Sequence, residues 1–206
     1  VMAIENSIAG SILPNLGILH NSRLQAVGEY YLHIRQNLMA LPGVGLEGIE
    51  EVHSHPMALL QCVDFLDTHR WRLVETEDTA LSARRIAERG IRNAAAIAGD
   101  LAAELFGLEI VAADIHSIRN NYTRFLVLRP DHQPIDERSD KASLCFKTDH
   151  RHGSLIRVLR EMEDSTINMT KLQSSPIPSE PWHYMFHVDM EFACMDDYNR
   201  VIERMR

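Results

Sequence analysis

The sequence NNYTRF at residues 120–125 runs directly into the apolar segment LVL at residues 126–128. This transition predicts a loop that becomes a buried strand, with the hydroxyl of Thr123 beside the guanidinium of Arg124. Strand ends of open α/β sheets bind ligands, and an arginine there can hold a carboxylate through paired hydrogen bonds. The segment therefore predicts an α/β fold with a ligand site at Thr123 and Arg124.

Short predicted strands alternate with predicted helices on the N-terminal side of this segment. Residues 24–41 are β-rich, and the strands that follow are predicted at 49–53, 72–75, 94–98 and 111–113. The helices are predicted at 56–69, 80–89 and 101–106. Asp78 or Thr79 caps the second helix and Gly90 ends it. The alternation predicts a mostly parallel, doubly wound sheet.

A second pattern follows residues 130–140, a polar stretch with prolines that is typical of a linker. The order after it is a strand (142–146), a helix (154–162), two strands (167–173 and 182–192) and a helix (196–206). This βαββα order lacks one strand of the ferredoxin-like βαββαβ arrangement.

Composition excludes several classes of partner. The 206 residues carry a net charge of -8 with no cluster of Lys and Arg, which argues against nucleic acid and anionic membranes. The three cysteines (Cys62, Cys145 and Cys194) form no Cys-x-x-Cys pair and are typical of reduced thiols in a cytoplasmic protein. No apolar run approaches the length of a membrane span.

Five segments, in this order and spacing, resemble the catalytic domain of the prephenate dehydratase family. They read ENS at 5–7, SHPMALLQC at 54–62, DTALSA at 78–83, AAAIAG at 94–99 and TRF at 123–125. The resemblance covers residues 1 to about 129 and is specific because five segments agree. It implies an enzyme that converts prephenate to phenylpyruvate on the route to phenylalanine. It also implies a two-lobed catalytic domain, like a periplasmic binding protein, at residues 1–129.

The resemblance assigns roles to individual residues of this sequence. The implied catalytic residues are Thr123, Arg124 and Phe125, and the implied substrate-binding residues are Asn6, Ser7, Ser54, Gln61 and Thr79. Thr123 would donate a hydrogen bond to the hydroxyl that leaves as the substrate ring becomes aromatic. Since aromatisation supplies much of the driving force, no metal or organic cofactor is required.

Hydroxyls at predicted helix starts suggest how a negative protein could bind a dianionic substrate. Unpaired backbone N–H groups at a helix start attract anions. Such groups would lie beside Ser7 and Ser11 at one helix, beside Ser54 at a second and beside Thr79 at a third. Plain helix capping is the alternative for each of them. Arg124 would add a local positive charge, although it could instead pair with a structural carboxylate. Glu5 could act on the substrate or orient a helix and hinge.

The eleven histidines include three close pairs: His53/His55, His150/His152 and His183/His187. No third potential ligand follows any of these pairs at a sequence spacing typical of zinc sites, so we predict no metal site. His55, which opens a helix, is interpreted as a structural residue or as one that supports a ligand-binding neighbour.

Residues 141–206 resemble the ACT regulatory domain that usually follows this catalytic domain. The resemblance places an allosteric phenylalanine site at His152, Gly153, Ser154 and Leu155 of one chain with Gln173 and Ser174 of a partner. The second family motif usually reads Glu-Ser-Arg-Pro, and here Gln173 and Ser175 replace its charged members. The alternative is an ACT domain that only dimerises.

The sequence therefore predicts a cytoplasmic lyase that forms a homodimer or homotetramer, with prephenate as substrate and L-phenylalanine as effector. Arogenate dehydratase and a non-catalytic amino-acid-binding protein of the same fold are the alternatives. Because residues 1–4 are typical of a buried strand, we also expect the chain to be truncated at its N-terminus. The absence of a last ACT strand leads to the same expectation for the C-terminus.

Overall fold

A computed structural model describes residues 1–130, 136–163, 165–177 and 179–205, which form two compact units. The first, the mixed-sheet unit, comprises Asn6–Ala9 and Tyr31–Thr123. The second, the two-sheet unit, comprises Val1–Glu5, Gly10–Tyr30 and the described residues from Arg124 onward. Thr123 and Arg124 therefore belong to different units, although they are neighbours in one strand.

Strands and helices alternate along much of the chain. The strands are β1 (Met2–Asn6), β2 (Gly10–Ser11), β3 (Leu24–His33), β4 (Asn37–Ala40), β5 (Glu51–Ser54), β6 (Arg72–Glu75), β7 (Ala94–Ala98), β8 (Glu109–Ala112), β9 (Tyr122–Pro130), β10 (Lys141–Lys147), β11 (Asn168–Pro176) and β12 (Tyr184–Glu191). The helices are α1 (Leu13–His20), α2 (Pro56–Gln61), α3 (Val63–Leu66), α4 (Thr79–Arg89), α5 (Asp100–Phe106), α6 (Ser154–Glu163) and α7 (Met195–Met205), with a 3₁₀ turn at Leu46–Gly48.

The mixed-sheet unit contains five strands in the order β6-β5-β7-β4-β8. β5 pairs in parallel with β6 and β7, whereas β4 pairs antiparallel with β7 and β8. The predicted mostly parallel pairing is therefore wrong for half of the neighbouring pairs. The four strands joined by helical crossovers share one direction, as such connections require. β4 runs the other way, and the chain from β4 to β5 contains a 3₁₀ turn in place of a helical crossover.

Helices cover both faces of this sheet, and every residue of β7 is buried. Leu38, Val52 and Ile97 pack with residues of α2 and α3, while Met39 and Ile86 belong to a second cluster that includes residues of α4 and α5. Burial on both faces explains why β7 is apolar throughout instead of alternating.

The helix predicted over residues 56–69 is divided at Cys62, so this prediction is wrong. Cys62 is fully buried and has a non-helical backbone, with φ −113° and ψ 15°. The interruption lets Leu59 of α2 and Leu66 of α3 both join the buried cluster around Cys62. Burial of apolar side chains outweighs the few helical hydrogen bonds lost at the break.

The two-sheet unit holds most of the sheet β2-β1-β9-β3 and the antiparallel sheet β10-β12-β11. The βαββα order predicted after residue 141 is confirmed by β10, α6, β11, β12 and α7. Met162, Val188 and Val201 form its buried core. In the other sheet, Ile4 of β1 is buried with Leu126 of β9.

Candidate active site at the start of β9

The side-chain amide of Asn6 organises the start of β9. Its Oδ1 accepts hydrogen bonds from the backbone N–H groups of Ile8 (3.0 Å) and Ala9 (2.9 Å). Its Nδ2 therefore faces the other way and donates to Asn121 Oδ1 at 2.7 Å and to Thr123 Oγ1 at 3.1 Å. The turn after β1 and the first residues of β9 are thus connected through one amide.

Thr123 is partly buried, and its oxygen accepts the hydrogen bond from Asn6. Within the described residues, the hydroxyl proton of Thr123 has no protein acceptor. The hydroxyl is consequently oriented by Asn6 and remains able to donate to a ligand oxygen.

Ser7 is also bound to the start of β9. Its hydroxyl donates to the carbonyl of Asn120 at 3.2 Å and accepts from the N–H of Tyr122 at 2.9 Å. The structure therefore brings Asn6, Ser7 and Thr123 together, as the candidate site requires.

The prediction that Ser7 and Ser11 open a helix is wrong. β2 includes Ser11, and α1 begins at Leu13 with Ile12 as its N-cap and no side-chain cap. The N–H of Ile12 donates to the carbonyl of Ile4 at 2.9 Å, and this bond holds the segment against β1. Gly10 makes the preceding turn possible with a φ of +81°.

Gln61 is connected to this cluster through the segment that precedes β4. Its Oε1 accepts from Gln36 Nε2 at 3.2 Å, and its backbone carbonyl accepts from Ser117 at 2.8 Å. Two residues before Gln36, the N–H of Ile34 donates to the carbonyl of Asn121 at 2.8 Å. Gln61 is therefore linked to the cluster along the chain between Ile34 and Gln36, and no hydrogen bond among the described residues joins it directly to Asn6, Asn121 or Thr123.

Ser54 lies at the end of β5 and is fully buried. Its hydroxyl donates to the carbonyl of Ile97 at 2.7 Å. The cap of α2 is instead His55, whose Nδ1 accepts from the N–H of Met57 at 3.1 Å. The structural role predicted for His55 is confirmed, and the hydroxyl of Ser54 supports the sheet from within.

Thr79 is the first residue of α4 and is partly buried. The cap of this helix is Asp78, whose Oδ1 accepts from the N–H of Leu81 at 2.9 Å. Of the two residues predicted as possible caps, Asp78 caps the helix and Thr79 lies in its first turn.

Arg124, in the two-sheet unit, is surrounded by carboxylates. Its side chain is 13% exposed and pairs with Glu29 at 2.8 Å, with Asp189, and with Glu5 at 3.8 Å. This pairing favours the structural alternative for Arg124 over direct binding of a substrate carboxylate. Phe125 follows in β9 and is partly buried.

Further charges surround this cluster. Lys141 lies 2.7 Å from Glu29, and Ser143 donates to Asp189 at 2.6 Å. Burial acts to raise the pKa of Glu29, but hydrogen bonds from Lys141 and Arg124 outweigh it and hold the pKa below its ordinary value. The Asp189 contact was missed at the sequence level because no local pattern relates it to Arg124.

Four of the candidate effector residues, at positions 152–155, lie in the turn before α6 and at the start of that helix. His152, Ser154 and Leu155 line a cavity of about 390 Å³ together with His150 and His183. Gly153 adopts a φ of +76°, which a residue with a side chain rarely adopts, and so permits the turn before α6. Gln173 and Ser174 lie on β11, and Gln173 Nε2 donates to the carbonyl of Ser174 at 2.8 Å.

The described part of the chain contains no candidate for a metal site or for a membrane-spanning helix. No three His, Cys, Asp or Glu side chains in that part are placed to hold a metal ion. None of its helices is both long and apolar enough to span a membrane.

These features define an α/β protein whose candidate site offers an oriented hydroxyl donor. Residues 1–133 match the model of the family described as prephenate dehydratase, and the chain belongs to that family.

Individual relatives and a solved structure give the same assignment. The chain is 41% identical over 196 residues to a bifunctional chorismate mutase/prephenate dehydratase of Neisseria gonorrhoeae, covering 93% of this chain and 53% of the relative. It is 37% identical over 207 residues to arogenate dehydratase/prephenate dehydratase 2 of Arabidopsis thaliana, covering 96% and 54%. A prephenate dehydratase of Arthrobacter aurescens, solved in complex with L-Phe, has a TM-score of 0.85 at 27% identity and covers 99% of this chain and 70% of that one. The chain thus spans about half the length of the curated relatives it matches.

Proposed function

We propose that the protein containing this chain is a prephenate dehydratase, a carbon–oxygen lyase that converts prephenate to phenylpyruvate in phenylalanine biosynthesis. The observation that carries the proposal is the Thr123 hydroxyl, which is held by Asn6 at 3.1 Å and keeps its proton available. Membership of the prephenate dehydratase family supports the choice of substrate.

In the proposed reaction, two bonds of the substrate ring break. The bond from the ring to its carboxylate breaks, and its electron pair enters the ring as carbon dioxide leaves. The bond from the ring to the hydroxyl oxygen breaks with both electrons passing to oxygen, which takes one proton from the solvent and departs as water. Thr123 donates to this oxygen as negative charge develops on it, and orientation by Asn6 reduces the cost of placing the donor.

The remaining candidate residues support this chemistry in different ways. Ser7 holds the start of β9 through its hydrogen bonds, and Gln61 accepts from Gln36 in the segment whose Ile34 is bound to Asn121. Thr79 opens an eleven-residue helix whose first turn can attract a substrate carboxylate. We assign Ser54 and Arg124 to supporting roles, because their polar groups already bind Ile97 and the carboxylate cluster.

Regulation by L-phenylalanine forms part of the proposal. Residues 1–129 would be a two-lobed catalytic domain like a periplasmic binding protein, and residues 141–206 would be an ACT domain. The linker would be residues 130–140, of which 131–135 lie outside the described residues. The βαββα order and the cavity at His152, Ser154 and Leu155 support an effector site there, completed by Gln173 and Ser174 of a second copy. Because the effector site would need a second copy, we propose that the protein forms a homodimer or homotetramer. Its proposed location is the cytoplasm.

Arogenate is the alternative substrate, because a relative at 37% identity is named for both dehydratase activities. The two substrates differ only in an amino group in place of a keto group, and no described residue discriminates between them.

The test is turnover of prephenate and of arogenate by the full-length protein, with Thr123→Val as the variant and Thr68→Val as the control. Thr68 is exposed and donates to the carbonyl of Phe65 at 2.7 Å, so its replacement should leave turnover unchanged. Thr123→Val should lower kcat by about 100-fold or more, with a smaller change in KM. Wild-type turnover in Thr123→Val would refute the assigned role, and a wild-type protein inactive on both substrates would refute the function.

A further inference from the structure

Asn121 carries an unsatisfied donor in the interior of the mixed-sheet unit. The residue is fully buried, yet its Nδ2 has no hydrogen-bond partner among the residues that the structure describes. Buried donors are almost always paired, because an unpaired one loses its bonds to water without replacement. The unpaired Nδ2 of Asn121 lies close to the candidate catalytic hydroxyl of Thr123, and this position indicates that a ligand atom accepts its hydrogen bond.

The orientation of this amide follows from its neighbours. The backbone N–H groups of Ile8 and Ala9 both donate to Asn6 Oδ1, so Asn6 must present Nδ2 to Asn121. A donor requires an acceptor, and only the oxygen of the Asn121 amide can accept this bond at 2.7 Å. The Nδ2 of Asn121 is therefore the atom left over, and exchanging its N and O would place two donors against each other.

The same Asn6 Nδ2 also donates to Thr123 Oγ1 at 3.1 Å, so the side chains of Asn121 and Thr123 lie on one side of the chain. Residues two apart in an extended segment share a face. Each then offers a hydrogen that no described protein atom accepts, one from an amide and one from a hydroxyl. A single oxygen atom with two lone pairs can accept both.

We propose that Asn121 is a further catalytic residue, which donates through Nδ2 to the departing hydroxyl oxygen of the substrate together with Thr123. This inference rests on the proposed dehydratase function. As the ring carbon–oxygen bond breaks, both of its electrons pass to oxygen, and two donors stabilise this charge better than one. The oxygen takes one proton from the solvent and leaves as water, while Asn121 keeps its own protons throughout.

The experiment measures prephenate turnover by the full-length protein carrying Asn121→Leu or Asn121→Asp. Asn121→Asp keeps an oxygen that can accept from Asn6 but replaces the amide donor with a second, ionisable carboxyl oxygen, whereas Asn121→Leu removes the whole amide without adding a charge. The control is the same pair of changes at Asn199, which is exposed on α7. Both Asn121 variants should lower kcat by about 100- to 1,000-fold, as loss of one oxyanion donor does, with KM changed by less than about threefold.

Thermal unfolding of the same proteins separates catalysis from structure. Both Asn121 variants should still fold, because the Nδ2 donor makes no bond within the described protein, but both should unfold at a lower temperature than wild type. Asn121→Leu also removes the acceptor of the hydrogen bond from Asn6, and Asn121→Asp places a carboxyl group at a fully buried position. A kcat within about threefold of wild type in Asn121→Leu, which offers no donor at all, would overturn the proposal, and so would failure of both variants to fold. An inactive wild-type protein would overturn the dehydratase function as well, whereas an active wild type with active Asn121 variants would overturn only the role of Asn121.

Discussion

Arg124→Met removes the cation from a cluster of carboxylates while keeping a side chain of similar length. The carboxylates of Glu29 and Asp189 are 18% and 12% exposed, so they depend on protein partners in place of water. Removing one member of a buried ion pair costs about 3–5 kcal/mol, because the other charge stays buried. Here Lys141 still pairs with Glu29, and Ser143 still donates to Asp189. We therefore expect the free energy of unfolding to fall by about 2–4 kcal/mol.

Urea unfolding near neutral pH, followed by tryptophan fluorescence and far-UV circular dichroism, measures this loss. In a thermal scan, about 3 kcal/mol corresponds to a midpoint lower by about 6–12 °C for a chain of this size. Arg138→Met is the matched control, since Arg138 pairs with Asp136 at 2.8 Å but is 90% exposed, and its loss should have no measurable effect. If Arg124→Met and Arg138→Met unfold alike, the guanidinium of Arg124 is not held by buried carboxylates, and the supporting role assigned to it is wrong.

Two further predictions concern stability. The folded-state pKa of Glu29 lies below its ordinary value of 4.5, because hydrogen bonds from Lys141 and Arg124 outweigh the opposing effect of burial. The unfolded chain therefore takes up this proton first as the pH falls below about 4.5, and Glu29→Gln should weaken the loss of stability measured by urea unfolding between about pH 5 and pH 3. Asp78→Ala should lower the free energy of unfolding by about 1 kcal/mol, because the first turn of α4 loses its cap, and Thr79→Ala should lower it less. Equal losses in the last two variants would contradict the assignment of the cap.

Local sequence alone determined the position of several elements. β6 and β7 cover the residues predicted for them, and α4 ends at Gly90, which adopts a φ of +62°. Strand propensity and a C-terminal glycine act over a few residues, so a single sequence carries these signals. The identification of the family also came from the sequence, because five short segments keep their order and spacing.

Strand direction and the helix break were decided by tertiary structure. β4 has the largely apolar composition of a central strand, and no pattern within residues 37–40 indicates that it runs antiparallel to β7 and β8. The helical pattern continues through Cys62, and the break there follows from packing around its buried side chain. Both outcomes depend on elements that are distant in sequence.

The candidate site divides in the same way. The sequence predicted the type of chemistry that we propose, since a threonine hydroxyl after an asparagine-rich loop is visible in residues 120–125. Only the tertiary structure showed that Arg124 is paired with carboxylates, because Glu29 and Asp189 are 95 and 65 residues from it in the sequence. The free donor of Asn121 was equally invisible, since its orientation is set by an amide 115 residues away in the chain. Hydrogen bonds of this kind form between atoms that folding brings together, and no local pattern records them.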